Sequence, residues 1–163
     1  LEKRAPDEQP ALDYLASTPR LSDDDCGAVF FAAAFGYPKV LNLLIDRKLD
    51  VYAATTQSVG WTPLTAAAAE GQLETVQVLI ERKASKIDET TSIRFIYYFF
   101  PGLDGRETAL HWAARQGRTQ IVQYLLLHGA SVNAKTMGGA NCTRPCQEVR
   151  EPRDSQDPGR AWG

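Results

Sequence analysis

Thr108-Ala109-Leu110-His111-Trp112-Ala113-Ala114-Arg115-Gln116-Gly117, then Ile121-Val122-Gln123-Tyr124-Leu125-Leu126, then Gly129-Ala130-Ser131-Val132-Asn133-Ala134: the fold turns on how this stretch is read. It describes a short helix of small residues, a glycine stop, a second apolar helix and a second glycine. A second copy runs Thr62-Pro63-Leu64-Thr65-Ala66-Ala67-Ala68-Ala69-Glu70-Gly71, then Val76-Gln77-Val78-Leu79-Ile80. A more worn one is Ala32-Ala33-Ala34-Phe35-Gly36-Tyr37, then Val40-Leu41-Asn42-Leu43-Leu44-Ile45, closing on Asp50-Val51-Tyr52-Ala53. Self-similarity at this period means stacked supersecondary units rather than one closed core.

Each position in the template has a physical task. Thr62 and Thr108 are placed to cap helix starts by accepting from an orphan backbone N–H. Pro63 suits the first turn, where its fixed φ costs nothing. The alanine pairs Ala67-Ala68 and Ala113-Ala114 keep the first helix thin, so that a neighbouring helix can come close. Gly36, Gly71, Gly117 and Gly129 fall where helices must stop in a left-handed conformation. The second helices carry Val76, Leu79 and Ile80, and Ile121, Val122, Leu125 and Leu126, at helical spacing. One helix pair cannot bury such a face alone, so adjacent copies must seal it.

On these residues, from about 26 to 135, the chain resembles the ankyrin-repeat family, with its Thr-Pro-Leu-His start and Gly-Ala-Asp-Val-Asn-Ala close. The resemblance implies an all-α solenoid of stacked helix-turn-helix units joined by hairpin fingers. Repeats are expected over about 26–53, 60–88 and 104–135. Three departures stand out. Gly27-Ala28-Val29-Phe30 replaces the capped start in the first copy, which predicts a weak or rebuilt cap. Thr65 stands where the histidine belongs, so only His111 matches that position. Lys48 and Lys83 stand where the family has glycine, which predicts that those helix ends close another way.

The glycines are spaced by 35 residues from Gly36 to Gly71 and by 46 from Gly71 to Gly117. Against a period of about 33, the first gap holds about two extra residues and the second about thirteen. The larger excess, 91–103, contains Phe95-Ile96-Tyr97-Tyr98-Phe99-Phe100. Three readings stand: a hydrophobic finger that grips a partner, since exposed aromatic patches mark interfaces; a segment folded back over repeat two; or a retained intron, since aromatic codons are pyrimidine-rich. Residues 136–163, rich in Arg, Glu, Asp and Pro, read as a disordered tail. A shifted frame through the codons for Asn141, Cys142 and Thr143 encodes Leu and then His or Tyr, so an out-of-frame or alternatively spliced ending to a longer array is expected. That leaves Ile121, Leu125 and Leu127 without a covering repeat and predicts marginal stability or self-association at that end.

Residues 1–25 carry seven acids against three bases and form an acidic, partly disordered leader. Ala11 to Ala16 can make a short capping helix that packs Leu12 and Leu15 on the first repeat. The net charge of −2 gives no electrostatic case for nucleic acid or an anionic membrane. No stretch of eighteen apolar residues occurs, so no membrane helix is expected. Cys26, Cys142 and Cys146 are too few for a disulfide framework, and with His111 and His128 they lack the spacings of a zinc site. No cofactor or metal is expected. Family resemblance implies a cytoplasmic protein, whereas Leu1-Glu2-Lys3-Arg4 before Ala5-Pro6 looks like a propeptide-processing site and would imply secretion.

No Gly-x-Ser-x-Gly elbow, phosphate loop or His-Glu-x-x-His helix occurs, so no enzyme is expected. The resemblance implies instead a non-catalytic module that binds another protein through the concave surface and finger tips. Position by position, that nominates Trp61, Ala69, Glu70, Arg106, Glu107, Arg115 and Gln116. Trp61 and Arg115 are the strongest anchors, because Trp and Arg dominate binding hot spots. Against this, Trp61 can equally pack over its hairpin. The other readings are a regulatory segment of a larger enzyme or signalling protein, and a small secreted effector-like protein.

Overall fold

The computed structural model describes residues 7–17, 26–49, 61–91 and 106–136. The aromatic insertion, the C-terminal tail and the Lys3-Arg4 pair lie outside them. Seven helices are described: α1 Gln9–Ser17, α2 Cys26–Phe35, α3 Pro38–Asp46, α4 Pro63–Glu70, α5 Leu73–Glu81, α6 Ala109–Arg115 and α7 Thr119–Leu127. The first helices of the three copies pack in one row, α2 on α4 on α6, and the second helices in another, α3 on α5 on α7. The first row is the tighter one. Its alanines permit that approach: Ala32, Ala33, Ala66, Ala67, Ala68, Ala113 and Ala114 are all buried. Unequal spacing bends the stack, with the first helices on the concave side.

The core runs through both rows as one cluster, from Leu15 through Leu41, Leu44, Leu64 and Leu79 to Leu110, Ile121 and Leu125. Leu79, fully enclosed, is the test residue for this seam. Truncating such a leucine to alanine costs about 2–5 kcal/mol. The expectation of a bare apolar end on the third repeat is corrected for two of its three residues. Ile121 and Leu125 are buried, and only Leu127 is open, at 83% exposure. A single exposed leucine is ordinary on a protein surface and makes no patch.

The leader helix does more than cover an end. α1 packs against α3, in the row of second helices. It therefore stands where the second helix of a preceding repeat would stand. Leu15 enters the core. Glu8 Oε2 accepts from the backbone N–H groups of Lys39 (2.9 Å) and Val40 (3.2 Å). These are orphan donors in the first turn of α3, where a carboxylate also meets the positive end of the helix dipole. In return Arg47 donates to the Leu15 carbonyl at 2.7 Å.

All the helix stops of the repeats share one geometry. The backbone N–H of the residue after the stop reaches back five residues: Tyr37 to Ala32, Gln72 to Ala67, Arg118 to Ala113, Leu49 to Leu44, Ala84 to Leu79 and Ala130 to Leu125. Between them sits a left-handed residue, as the Schellman motif requires. Four of these are glycines, but Lys48 (φ 59°) and Lys83 (φ 51°) adopt the same conformation. The expectation that the lysine ends close another way is thus wrong. Six-to-one hydrogen bonding holds the lysines in the glycine geometry despite the steric cost at Cβ.

Caps differ in detail and agree in logic. Thr62 Oγ1 accepts from Thr65 N–H at 3.0 Å, and the two hydroxyls pair at 2.7 Å. In α6 the imidazole takes the matching place. His111 Nδ1 lies 3.3 Å from Thr108 N–H and 2.8 Å from Thr108 Oγ1. An N–H can only donate, so Nδ1 is the acceptor and the ring is the Nε2–H tautomer. Threonine in the histidine position therefore keeps the tie between cap and third helical residue. The expectation of a weak or rebuilt cap at the start of α2 falls on residues outside those described.

The finger before α6 is closed at its base. Thr90 bridges Thr108 in antiparallel fashion. Thr91 N–H donates to the Glu107 carbonyl at 2.9 Å, and Glu107 N–H donates to Thr91 Oγ1 at 3.2 Å. The described residues on either side of the long insertion are therefore held together at one point. Among the described residues, no helix is long and apolar enough to cross a membrane.

Candidate functional site

The concave row carries a strip of aromatic side chains that begins on the first repeat. Phe31 and Phe35, one turn apart on α2, are 58% and 56% exposed. Their rings stack with centroids 6.1 Å apart, and Phe30 meets Phe31 edge-on at 6.0 Å. These phenylalanines, with Ala34, Trp61, Ala66, Glu70 and Gln72, line a groove of about 490 Å³ between the first two repeats. Trp61 then leads to the third repeat, its ring centroid 4.3 Å from that of Trp112. Arg115 completes the tier, with its guanidinium carbon 5.0 Å from the Trp112 centroid.

Arg115 is anchored from beneath. Its Nη1 donates to Glu107 Oε2 at 3.1 Å, while Nη2 pairs with the other carboxylate oxygen. Glu107 is 2% exposed. A carboxylate so enclosed is tolerable only with a charged partner. Arg115 therefore has a structural task as well as an exposed face. The Trp112 indole N–H is buried without a hydrogen-bond partner among the described residues. Its ring packs against Trp61 and the guanidinium.

A second regular device sits at the edge of the groove. In the second and third repeats the residue after the first glycine reaches back to the preceding repeat. Gln72 Nε2 approaches the Ala34 carbonyl at 3.5 Å, and Arg118 Nε donates to the Ala69 carbonyl at 3.3 Å. Both side chains cross directly over a glycine. A Cβ on Gly36 would collide with Gln72, and one on Gly71 would lie 2.9 Å from Arg118 Nε. These glycines thus serve conformation and close approach together. The second-helix row is tied likewise, through the Arg82–Asp46 ion pair and Tyr124 Oη donating to Glu81 at 3.3 Å.

The seven nominated residues divide into two sets. Glu70, Arg115 and Gln116 are exposed at the ends of α4 and α6, and Trp61 is half-buried between the groove and Trp112. Arg106 is exposed at the finger base, with φ 68°. Ala69 and Glu107 are buried, and as contact residues they require correction. Ala69 is enclosed in α4 and presents its carbonyl to Arg118. Glu107 spends its carboxylate on Arg115. Phe31 and Phe35 were missed. Aligning on the glycines places Phe35 with Glu70 and Gln116, and Phe31 with Ala66 and Trp112. Applying the positional carry-over to the first copy would have found Phe35.

A solenoid of helix pairs with a tight first-helix row, left-handed stops and a finger bridged at its base defines a class of helical-repeat proteins. The chain belongs to the ankyrin-repeat family: the family described as Ankyrin repeats (3 copies) matches residues 8–91 and 29–136. The match reaches back to residue 8, in keeping with α1 standing in the second-helix row. Ankyrin repeats are generally protein-interaction modules. Among curated relatives, Ankyrin repeat and SOCS box protein 3 of Homo sapiens is 36% identical over 114 residues, 70% of this chain and 20% of that protein. Palmitoyltransferase AKR1 of Lachancea kluyveri is 32% identical over 63% of this chain and 12% of its own length. Ankyrin repeat and KH domain-containing protein mask of Drosophila melanogaster is 34% identical over 69% of this chain and 2% of its own. The chain thus spans a fifth or less of these relatives.

Proposed function

We propose that this chain is a non-catalytic protein-binding module that holds its partner against the concave row, from Phe31 and Phe35 through Trp61 to Arg115. The observation that supports this most is the open aromatic groove. Two phenylalanines more than half exposed on a helix whose other face is core carry a desolvation gain that a partner can collect. Aromatic side chains with few rotatable bonds, beside an arginine already fixed by Glu107, lose little entropy on binding. Such residues supply most of the energy of protein interfaces.

The direct test compares partner capture by the native chain with that by Phe35→Ala and Trp61→Ala, using Gln123→Ala on the second-helix row as control. Partners should be lost from both concave variants and kept by the control. Equal recovery from all of them would remove this surface from consideration. Arg115→Ala is unsuitable alone, because it strips the buried Glu107 of its counter-charge.

A second reading has its own support. By their names, two of the relatives join ankyrin repeats to a SOCS box or a KH domain, and a third is a palmitoyltransferase. On that pattern the array would be the recognition or regulatory segment of a longer protein, cytoplasmic by family habit. A further domain encoded in frame beside it would support this reading, and a gene without one would count against it.

A further inference from the structure

We propose that the groove between the first two repeats accepts an arginine or lysine side chain of a partner protein segment, stem along the phenylalanine rings and charge at Glu70. The inference deepens the proposed function and rests on it. The third repeat supplies the template. There, an aromatic ring on the first helix (Trp112) carries a guanidinium 5.0 Å from its centroid, and a carboxylate (Glu107) receives that cation. The repeat register places Phe31 at the Trp112 position, and Ala34 and Ala69 at the Arg115 position. The ring recurs at the first groove, where Glu70, at the Gln116 position, supplies the carboxylate, and among the described residues no cation of the chain lines it.

The charges around the groove agree. Its lining is apolar apart from Glu70 and Gln72. Gln72 is engaged with the Ala34 carbonyl. Glu70 is exposed and makes no hydrogen bond or ion pair among the described residues. It closes α4, where helix carbonyls add negative potential. By contrast the next step along the row is crossed by two cations of the chain itself, Arg118 and Arg115. A partner anion would meet Glu70 unfavourably, and a purely apolar side chain would leave the carboxylate unused. An alkyl stem ending in a cation satisfies the rings and the charge together.

The test is panning of a random dodecapeptide library on the full chain, followed by affinity measurements on a recovered peptide. The probes are that peptide and the same peptide with its basic residue changed to citrulline or norleucine. Recovered peptides should carry Arg or Lys beside apolar residues. The neutral substitution should weaken binding about tenfold, the scale of an exposed cation–π contact plus a rim ion pair. Glu70→Gln should erase most of that difference, and Phe35→Ala should weaken both peptides. Peptides that depend on Phe35 yet are indifferent to Glu70→Gln and to the neutral substitution would overturn the cation assignment and leave the concave site standing. Recovered peptides unmoved by Phe35→Ala and Trp61→Ala, or no recovered peptide at all, would overturn both.

Discussion

Replacing Lys48 or Lys83 by glycine should make the protein more stable, although each substitution deletes a whole side chain. Both lysines hold left-handed φ angles, 59° and 51°, at a helix stop filled by glycine at Gly129 in the third repeat. For a residue with Cβ this conformation costs roughly 1–2 kcal/mol. Glycine removes that cost but gives the unfolded chain more freedom, which takes back about 0.4–1 kcal/mol. The lysine charge near the carbonyl end of the helix also contributes about 0.3–1 kcal/mol at low salt. Both side chains are exposed and neither makes a hydrogen bond or ion pair among the described residues, so little else is lost. At ~0.15 M salt, where the charge is screened, the net gain per site is about 0.5–1 kcal/mol. For an array of this size that raises the melting temperature by roughly 2–6 °C. Thermal unfolding followed by circular dichroism measures it. Lys83→Gln is the control, since it removes the charge and keeps the strain. If Lys83→Gly melts no higher than Lys83→Gln, the left-handed strain is not there and the reasoning fails.

Gly71→Ala should cost more than Gly117→Ala, about 1–2 kcal/mol for the φ alone at either site. The extra loss at Gly71 comes from the collision with Arg118, whereas nothing lies within 4 Å of a Cβ at Gly117. Urea unfolding of both, repeated in an Arg118→Ala background, should cancel the excess. Arg115→Ala should destabilise by about 1–3 kcal/mol by leaving the enclosed Glu107 carboxylate unpaired, and Glu107→Gln in that variant should restore part of the loss. Denaturant midpoints for the single and double variants decide this. Burial pushes the Glu89 carboxyl up from its ordinary 4.5, with Lys86 opposing. The folded state therefore binds that proton more tightly, and stability falls as pH rises through the carboxylate range. Glu89→Gln should flatten this slope in melts taken from pH 4 to 7, and an unchanged slope would refute it.

The repeat register, the helix pairs, the threonine caps and the glycine stops were all legible in the sequence. They depend on local chemistry: which side chain can cap, which backbone can turn left-handed, which faces are apolar at helical spacing. The long insertion between repeats two and three was legible from the glycine spacing for the same reason. Trp61, Glu70 and Arg115 could be nominated because position within a repeat fixes the side of the stack. What only the tertiary structure decided are relations across repeats. Lys48 and Lys83 take the glycine conformation because hydrogen bonds from Leu49 and Ala84 close the helix ends around them. Glu107 turns inward because Arg115 is there to meet it, and α1 joins the second-helix row because Leu15 finds the core beside α3. Phe31 and Phe35 stay open because the alanines on the other face of α2 are what α4 packs against. Local propensity fixes each unit, but exposure and pairing belong to the contact between units, and those energies depend on neighbours distant in sequence.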